Sequence, residues 1–222
     1  MKSLWVIFGS AAVIGLSGAM MPGPLLTACF GYTVERGFWA GGPLLVAGHA
    51  LLELTLVVLV LAGLGPWLSR PRVAVAIGLA GGAVLIFMGY GMVAGAMEGV
   101  ADLSLQKPTQ ALWSNPVVAG VLVSLSNPYW SLWWATIGLK YLALSREAGR
   151  GGVAAFFLGH SLSDIGWYLL VAGAVALGRT AISPAVYRWI IGACGVVLIG
   201  FGVYFLVGAI RRKHNAARDV SA

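Results

Sequence analysis

Residues 43–65 read PLLVAGHALLELTLVVLVLAGLG, and this apolar segment decides in which solvent the chain folds. A helix that crosses a lipid bilayer needs about 20 predominantly apolar residues, and the segment is long enough. It nevertheless contains His49 and Glu53, and ionisable side chains are costly to bury at membrane depth. The segment therefore predicts a membrane-spanning helix whose two polar residues have a role inside the protein.

The rest of the chain has the same character. Of its 222 residues, 59% are hydrophobic and only 9% are charged, whereas a soluble domain carries roughly 25% charged residues. The net charge of +7 comes from small groups of basic residues at the ends of apolar runs. This distribution is typical of membrane proteins and argues against nucleic acid as a partner. Membrane lipid is the expected surrounding.

Six segments are long enough to cross a bilayer, and they predict an all-α integral membrane protein with one membrane domain. The first segment is interrupted by MPGP at 21–24 and the fourth by SNP at 126–128. Proline lacks an N–H and clashes with the preceding turn, so each motif should break its helix. A polar C-terminal tail follows the sixth segment. The predicted spans are residues 4–32, 41–64, 73–96, 116–144, 151–177 and 185–210.

The two halves of the chain resemble each other. GHALLE at 48–53 aligns with GHSLSD at 159–164, and GGAVLIFMG at 81–89 aligns with CGVVLIGFG at 194–202. Pro22 in the first broken helix aligns with Pro128 in the fourth. These matches predict two three-helix repeats, residues 1–111 and 112–222. Because each repeat has an odd number of spans, the second copy enters the membrane from the opposite side, as in many secondary transporters.

Each repeat carries a histidine and a carboxylate four residues apart: His49 with Glu53, and His160 with Asp164. This spacing places both side chains on one face of a helix. With a rise of about 1.5 Å per residue, all four lie near the middle of the bilayer core. Each pair could simply hold its helix in register. The recurrence of the pair at matching positions favours a polar site for substrate or protons.

The helix breaks point to the same region. Irregular backbone at membrane depth is tolerated only where it faces protein or a watery cavity. Helix N-termini at such breaks attract carboxylates, and the freed carbonyl groups attract cations. Residues expected in the site region are Pro22, Gly23, Pro24, Asn127 and Pro128.

Four aromatic residues lie in NPYWSLWWATIG at 127–138, beside the second break. Tyr129, directly beside it, is predicted to face the cavity. Trp133 and Trp134 are predicted to serve in packing.

A cavity with donors at the breaks and acids on the second and fifth helices complements an amino acid. Glu53 and Asp164 would attract the ammonium group or carry a coupling proton, with His49 and His160 as their partners. The alternative is export of a divalent cation, because two histidines and two carboxylates form a ligand set for zinc-like metals. No resident metal or other cofactor is predicted.

An enzyme is disfavoured by the sequence. No nucleophile–base arrangement, phosphate-binding loop or cofactor fingerprint is present, and Cys29 and Cys194 do not occupy corresponding positions of the two repeats. The expected partners are therefore a small-molecule substrate and a coupling ion.

Three stretches carry a family resemblance: SGAMMPGPLLTACFGYTVERGFWAG at 17–41, GGAVLIFMGYG at 81–91 and SLSNPYWSLWWATIG at 124–138. They resemble the lysine-exporter (LysE-type) translocator family, and the similarity extends from about Leu4 to Ala209. The resemblance implies a six-helix, multi-pass protein of the prokaryotic cytoplasmic (inner) membrane. Such a protein exports amino acids or similar small metabolites by secondary transport, driven by an ion or membrane gradient.

One position departs from the family pattern. The family usually has a lysine after the asparagine-proline pair, and this chain has Tyr129 there. Specificity for lysine or threonine is therefore not carried over. Assembly into a homo-oligomer is left open.

Overall fold

The computed structural model describes residues 3–68, 70–98, 114–178 and 183–221, and its elements within these ranges are all helices. Among the described residues, four helices are long and apolar enough to cross a membrane, and the count rises to five if the bent N-terminal pair forms one span. The all-α membrane architecture is thus confirmed. Six spans and the inverted repeat stay predictions, and the boundary expected at residues 111 and 112 lies outside the described residues.

The first predicted break is present. Helix α1 (Leu4–Ala19) and helix α2 (Pro24–Arg36) meet at 79°. Gly23 between them is extended, and Pro24 occupies the first helical position of α2, where its missing N–H costs nothing. Helix α2 then continues past the predicted end at residue 32 to Arg36.

Helix α3 runs from Ala40 to Trp67 and is irregular at both ends. Its α-helical part, Leu45–Leu59, lies between π-helical turns at Ala40–Leu44 and Val60–Leu64, and a last turn covers Gly65–Leu68. Pro43 lies in the first π turn and cannot donate to a regular helix. Gly63 bends the second π turn with a φ of 120°, a conformation that glycine tolerates.

The remaining helices follow the predicted spans closely. The second break, at Ser126 and Asn127, separates α5 (Pro116–Leu125) from α6 (Pro128–Trp133). The Asn127 side chain accepts a hydrogen bond from the Tyr129 N–H at 3.0 Å. The last helix continues through the predicted polar tail as far as Ser221. The bounds are α4 Pro71–Glu98, α5 Pro116–Leu125, α6 Pro128–Trp133 with a π turn at Trp134–Gly138, α7 Leu139–Arg146, α8 Gly149–Gly178 and α9 Pro184–Ser221.

The helices that carry the two histidines each pack on a broken helix of the other half. Helix α3 packs on α5, and α8 packs on α1. A Cβ atom on Gly48 would collide with the Val117 carbonyl oxygen, and one on Gly159 would collide with that of Phe8. Glycine directly before each histidine therefore allows close backbone contact and places the histidine at the interface.

Helices α4 and α9 form a second tightly packed pair. Gly82 faces Gly202 and Gly89 faces Gly195, so backbone meets backbone, as small residues permit in membrane proteins. Large apolar side chains point outward elsewhere, among them Trp5 (81% exposed) and Leu177 (88% exposed). Such an exterior suits lipid and would be poorly soluble in water.

Candidate functional site

The two histidines and the two acids of α3 and α8 lie together in the interior. His160 Nε2 is 3.1 Å from Glu53 Oε1 and 3.5 Å from Asp164 Oδ2, and His49 Nε2 is 3.4 Å from Glu53 Oε1. None of the four is more than 6% exposed. The two histidine–carboxylate pairs are therefore not separate, because His160 contacts Glu53 of α3 as well as Asp164 of its own helix.

Glu53 Oε1 is the centre of this cluster. It accepts hydrogen bonds from Trp134 Nε1 at 2.9 Å, Trp130 Nε1 at 3.2 Å and His160 Nε2 at 3.1 Å. Three N–H donors around one oxygen compensate much of the cost of burying a carboxylate. Helix α6 and its π turn, which follow the second break, thus supply two indole donors to an acid on α3.

The His160 ring is held by aromatic contacts on several sides. Trp133 stacks on it with centroids 4.6 Å apart and an interplanar angle of 17°, and Phe156 is parallel to it at 6.1 Å. Trp134 meets it edge-on at 5.3 Å. A Cβ atom on Gly15 of α1 would lie 2.8 Å from its Nδ1. The imidazole therefore has little room to turn.

His49 is oriented by a residue of α5. Its Nδ1 is 2.8 Å from Ser124 Oγ, and the Ser124 hydroxyl donates to the Gly120 carbonyl oxygen at 2.6 Å. This chain of contacts fixes the direction of the His49 ring, with Nε2 toward Glu53.

Asp164 is less well compensated than Glu53. Asp164 Oδ2 is fully buried and has no hydrogen-bond partner within the described part of the chain, and the same holds for Glu53 Oε2. His160 Nδ1 is a third buried atom of the cluster without such a partner in the described ranges, but it faces Gly15 of α1. The two carboxylate oxygens are therefore the anionic atoms that are available to a ligand.

A cavity of about 30 Å³ adjoins the cluster, which is large enough to hold a water molecule. Gly23 and Asn127 from the two breaks line it, and a Cβ atom on Gly23 would lie 3.5 Å from Asn127 Nδ2. The breaks therefore meet beside the acids. The lining residues are Gly18, Ala19, Met21, Gly23, Leu25, His49, Glu53, Ser124, Asn127, Tyr129, Trp130, Trp133, His160, Asp164 and Tyr168.

The prolines of the breaks do not line this cavity among the described residues. Pro22 and Pro24 shape the turn into α2, and Pro128 packs against Gly81 of α4. Their contribution is to the position of the backbone at the breaks.

Tyr129 is among the residues that line the cavity, and its hydroxyl donates to the Ser17 carbonyl oxygen of α1 at 2.9 Å. Trp133 Nε1 donates to Ser17 Oγ at 3.1 Å. The start of the second half-helix is thereby tied to the end of α1 across the cavity.

One nitrogen or oxygen atom from each of His49, Glu53 and Asp164 lies within 4.8 Å of the others, so these three residues could hold a metal ion. A histidine and two carboxylates fit a zinc-like divalent ion chemically. His160, which was predicted as a fourth ligand, instead donates to Glu53.

Sequence reasoning missed Ser124 and Trp130, and it assigned Trp134 to packing alone. Trp134 is buried in an apolar cluster, as predicted, but it also donates to Glu53. The i, i+4 spacing of Trp130 and Trp134 could have shown that both indoles share one face. The isolated hydroxyl of Ser124, close to the second break, was the other available signal.

Comparisons with known proteins place the chain in a family. Residues 16–209 match the LysE type translocator family. A putative amino acid efflux protein of Bacillus subtilis is 27% identical, with 90% of this chain and 94% of the relative covered. The threonine efflux protein of Salmonella typhimurium is 25% identical, with 92% and 99% covered. The chemotactic transduction protein ChpE of Pseudomonas aeruginosa is 27% identical, with 91% and 98% covered.

No solved structure matches the chain. The family match covers most of its length and both helix breaks. The chain belongs to the LysE type translocator family, and it is therefore a multi-pass transporter of the bacterial inner membrane and not an enzyme.

Proposed function

We propose that the protein is a secondary active exporter of amino acids or related small metabolites, coupled to a proton or another ion. The observation that carries this proposal is the convergence of two buried acids, two histidines and two helix breaks on one interior cavity. Relatives named as amino acid and threonine efflux proteins support the substrate class.

The architecture belongs to the same proposal. Six spans form two inverted three-helix repeats, residues 1–111 and 112–222, and the cavity lies where the repeats meet. The reciprocal packing of α3 on α5 and of α8 on α1 supports this arrangement, because a two-fold axis in the membrane plane would exchange the two pairs.

The ends of an amino acid would be recognised by different groups. Glu53 and Asp164 attract the ammonium group or exchange the coupling proton. The carboxylate is directed to the N-terminus of α2, where Gly23 lines the cavity and no side chain of the described residues caps the helix. A helix N-terminus carries partial positive charge that suits an anion.

Transport into proteoliposomes under an imposed pH gradient, across a panel of amino acids, tests the proposal. Glu53→Gln and Asp164→Asn should each abolish gradient-driven flux, whereas the exposed Glu147→Gln should transport like the unmodified protein. Flux that survives both substitutions of buried acids would remove the roles assigned to them.

Export of a divalent cation is the second candidate, favoured by the grouping of His49, Glu53 and Asp164. Its test is transport of Mn²⁺ or Zn²⁺ by the same proteoliposomes. Metal flux that exceeds amino acid flux and is lost in His49→Ala would replace the first candidate with this one.

A further inference from the structure

The hydrogen positions around His49 follow from its neighbours. A serine hydroxyl has a single hydrogen, and that of Ser124 is donated to the Gly120 carbonyl oxygen. The Ser124 oxygen is therefore an acceptor for His49, whose Nδ1 lies 2.8 Å away. In neutral His49 the ring hydrogen is then on Nδ1, and Nε2 presents a lone pair.

This lone pair faces other acceptors. His49 Nε2 lies 3.4 Å from Glu53 Oε1, while Glu53 Oε2 and Asp164 Oδ2 are buried without a hydrogen-bond partner in the described ranges. Glu53 and Asp164 are only 1% and 3% exposed. With His49 neutral, three acceptor groups thus converge with no hydrogen of their own to share, an arrangement that is unfavourable without a ligand rich in donors.

We infer that His49, Glu53 and Asp164 form a binding site for a primary ammonium group, the three-acceptor site. The inference rests on the proposed export function and names the part of the substrate that the site recognises. A primary ammonium has three N–H donors and no acceptor. Ser124 is a positioning residue, because it fixes which nitrogen of His49 is free to accept.

The dimensions agree with this ligand. Three acceptors about 2.8 Å from one nitrogen at tetrahedral angles lie about 4.6 Å apart. One nitrogen or oxygen atom from each of the three residues lies within 4.8 Å of the other two, which is compatible with that spacing. The cavity of about 30 Å³ accommodates an ammonium group, which is similar in size to water. The rest of an amino acid would extend toward the helix breaks, which form the neighbouring wall.

Geometry distinguishes this ligand from other cations. A tetramethylammonium ion has the same charge but no N–H and a larger radius, so it cannot satisfy the acceptors. A zinc ion bonds nitrogen and oxygen at about 2.0–2.2 Å and would draw the three groups to about 3.5 Å from one another.

Ligand binding to the purified full-length protein in lipid nanodiscs tests the inference. Trp130 and Trp134 contact Glu53, so intrinsic tryptophan fluorescence should respond to occupancy. The probes are methylammonium, tetramethylammonium and Zn²⁺. Methylammonium should give a saturable change, with an affinity about tenfold or more above that of tetramethylammonium, and should displace Zn²⁺. Equal affinities for the two ammonium ions, or Zn²⁺ binding that methylammonium does not affect, would overturn the inference.

Ser124→Ala tests the positioning role, with Ser10→Ala as the control. Ser10 also donates to a backbone carbonyl of its own helix, Ile7 at 3.0 Å, but lies outside the site. Loss of one hydrogen bond should reduce the preference for methylammonium over tetramethylammonium about fivefold in Ser124→Ala. An unchanged preference contradicts the assignment. The comparison of probes on the unmodified chain stands even if this variant does not fold.

The binding experiment and the transport assay test different hypotheses, and either can fail alone. Amino acid export without any preference for the primary ammonium would refute the three-acceptor site and leave the proposed function intact. Preferential methylammonium binding by a protein that exports no amino acid would support the site and refute the proposed function.

Discussion

Glu53→Gln and Asp164→Asn occupy corresponding positions of the two halves, yet they should have unequal effects on stability. Glu53 Oε1 accepts three hydrogen bonds, from two indoles and an imidazole. Asp164 Oδ2 has no hydrogen-bond partner among the described residues, and its contact with His160 is 3.5 Å long. Both substitutions replace a carboxyl group with an amide, but they remove different numbers of contacts.

The size of the difference follows from these contacts. Hydrogen bonds to a charged group contribute about 1.5–3 kcal/mol and neutral ones about 0.5–1.5 kcal/mol, so each bond to Glu53 loses about 1 kcal/mol in the glutamine variant. Three bonds give about 3 kcal/mol. For a chain of this size, 1 kcal/mol shifts the melting temperature by about 2–4 °C. Glu53→Gln should therefore lower it by about 6–12 °C, and Asp164→Asn by no more than about 3 °C.

Thermal unfolding in one detergent, followed by tryptophan fluorescence and by the monodisperse fraction after heating, measures both shifts. Glu147→Gln, an exposed carboxylate on the surface, reports the effect of charge removal alone. Equal shifts for the two buried acids, or a larger shift for Asp164→Asn, would refute the reasoning that the indole donors stabilise Glu53.

Two further predictions concern glycines, each with a control on the same helix or an equivalent one. Gly48→Ala and Gly159→Ala should each lower the free energy of unfolding by about 1–3 kcal/mol, because the added carbon meets the backbone of the facing helix. Gly166→Ala, which has open space around it, is the control. It should leave the melting temperature unchanged in the same assay. Gly15→Ala should reduce transport without removing any polar group, because the added carbon would collide with the Ser163 side chain and lie 2.8 Å from Nδ1 of His160. Gly9→Ala, which has nothing within 4 Å, should not reduce it. Equal flux in these two variants would show that the positions of the His160 and Ser163 side chains are unimportant for transport.

The positions of the helices and breaks could be predicted from the sequence because they depend on local properties. Apolar length marks the spans, and proline at 22, 24 and 128 marks the interruptions, since it acts on its own helix. Helix ends were less predictable. The last helix continues past residue 210 to Ser221, and a polar segment gives no apolar signal by which to detect such an extension.

The contacts of the acids could not be predicted in the same way. The i, i+4 spacing suggested His160 with Asp164, whereas the structure gives His160 a shorter contact with Glu53 of another helix. Which helix faces which is decided by close approach at Gly48 and Gly159. Sequence identifies these residues as small but does not show which backbone they meet.

Of the two buried acids, Asp164 has the stronger functional claim, because fewer contacts compensate its burial. An acid at the bilayer centre costs about 2.5–3.5 kcal/mol on the insertion scale, and three charge-assisted hydrogen bonds can offset that cost for Glu53. Aligning Pro22 with Pro128 places Pro24 and Ala28 opposite Trp130 and Trp134, so the first broken helix has no indole donors at the corresponding positions. The burial of Asp164 is therefore not explained by a matching set of contacts, and a cationic ligand or a proton is what its buried oxygen requires.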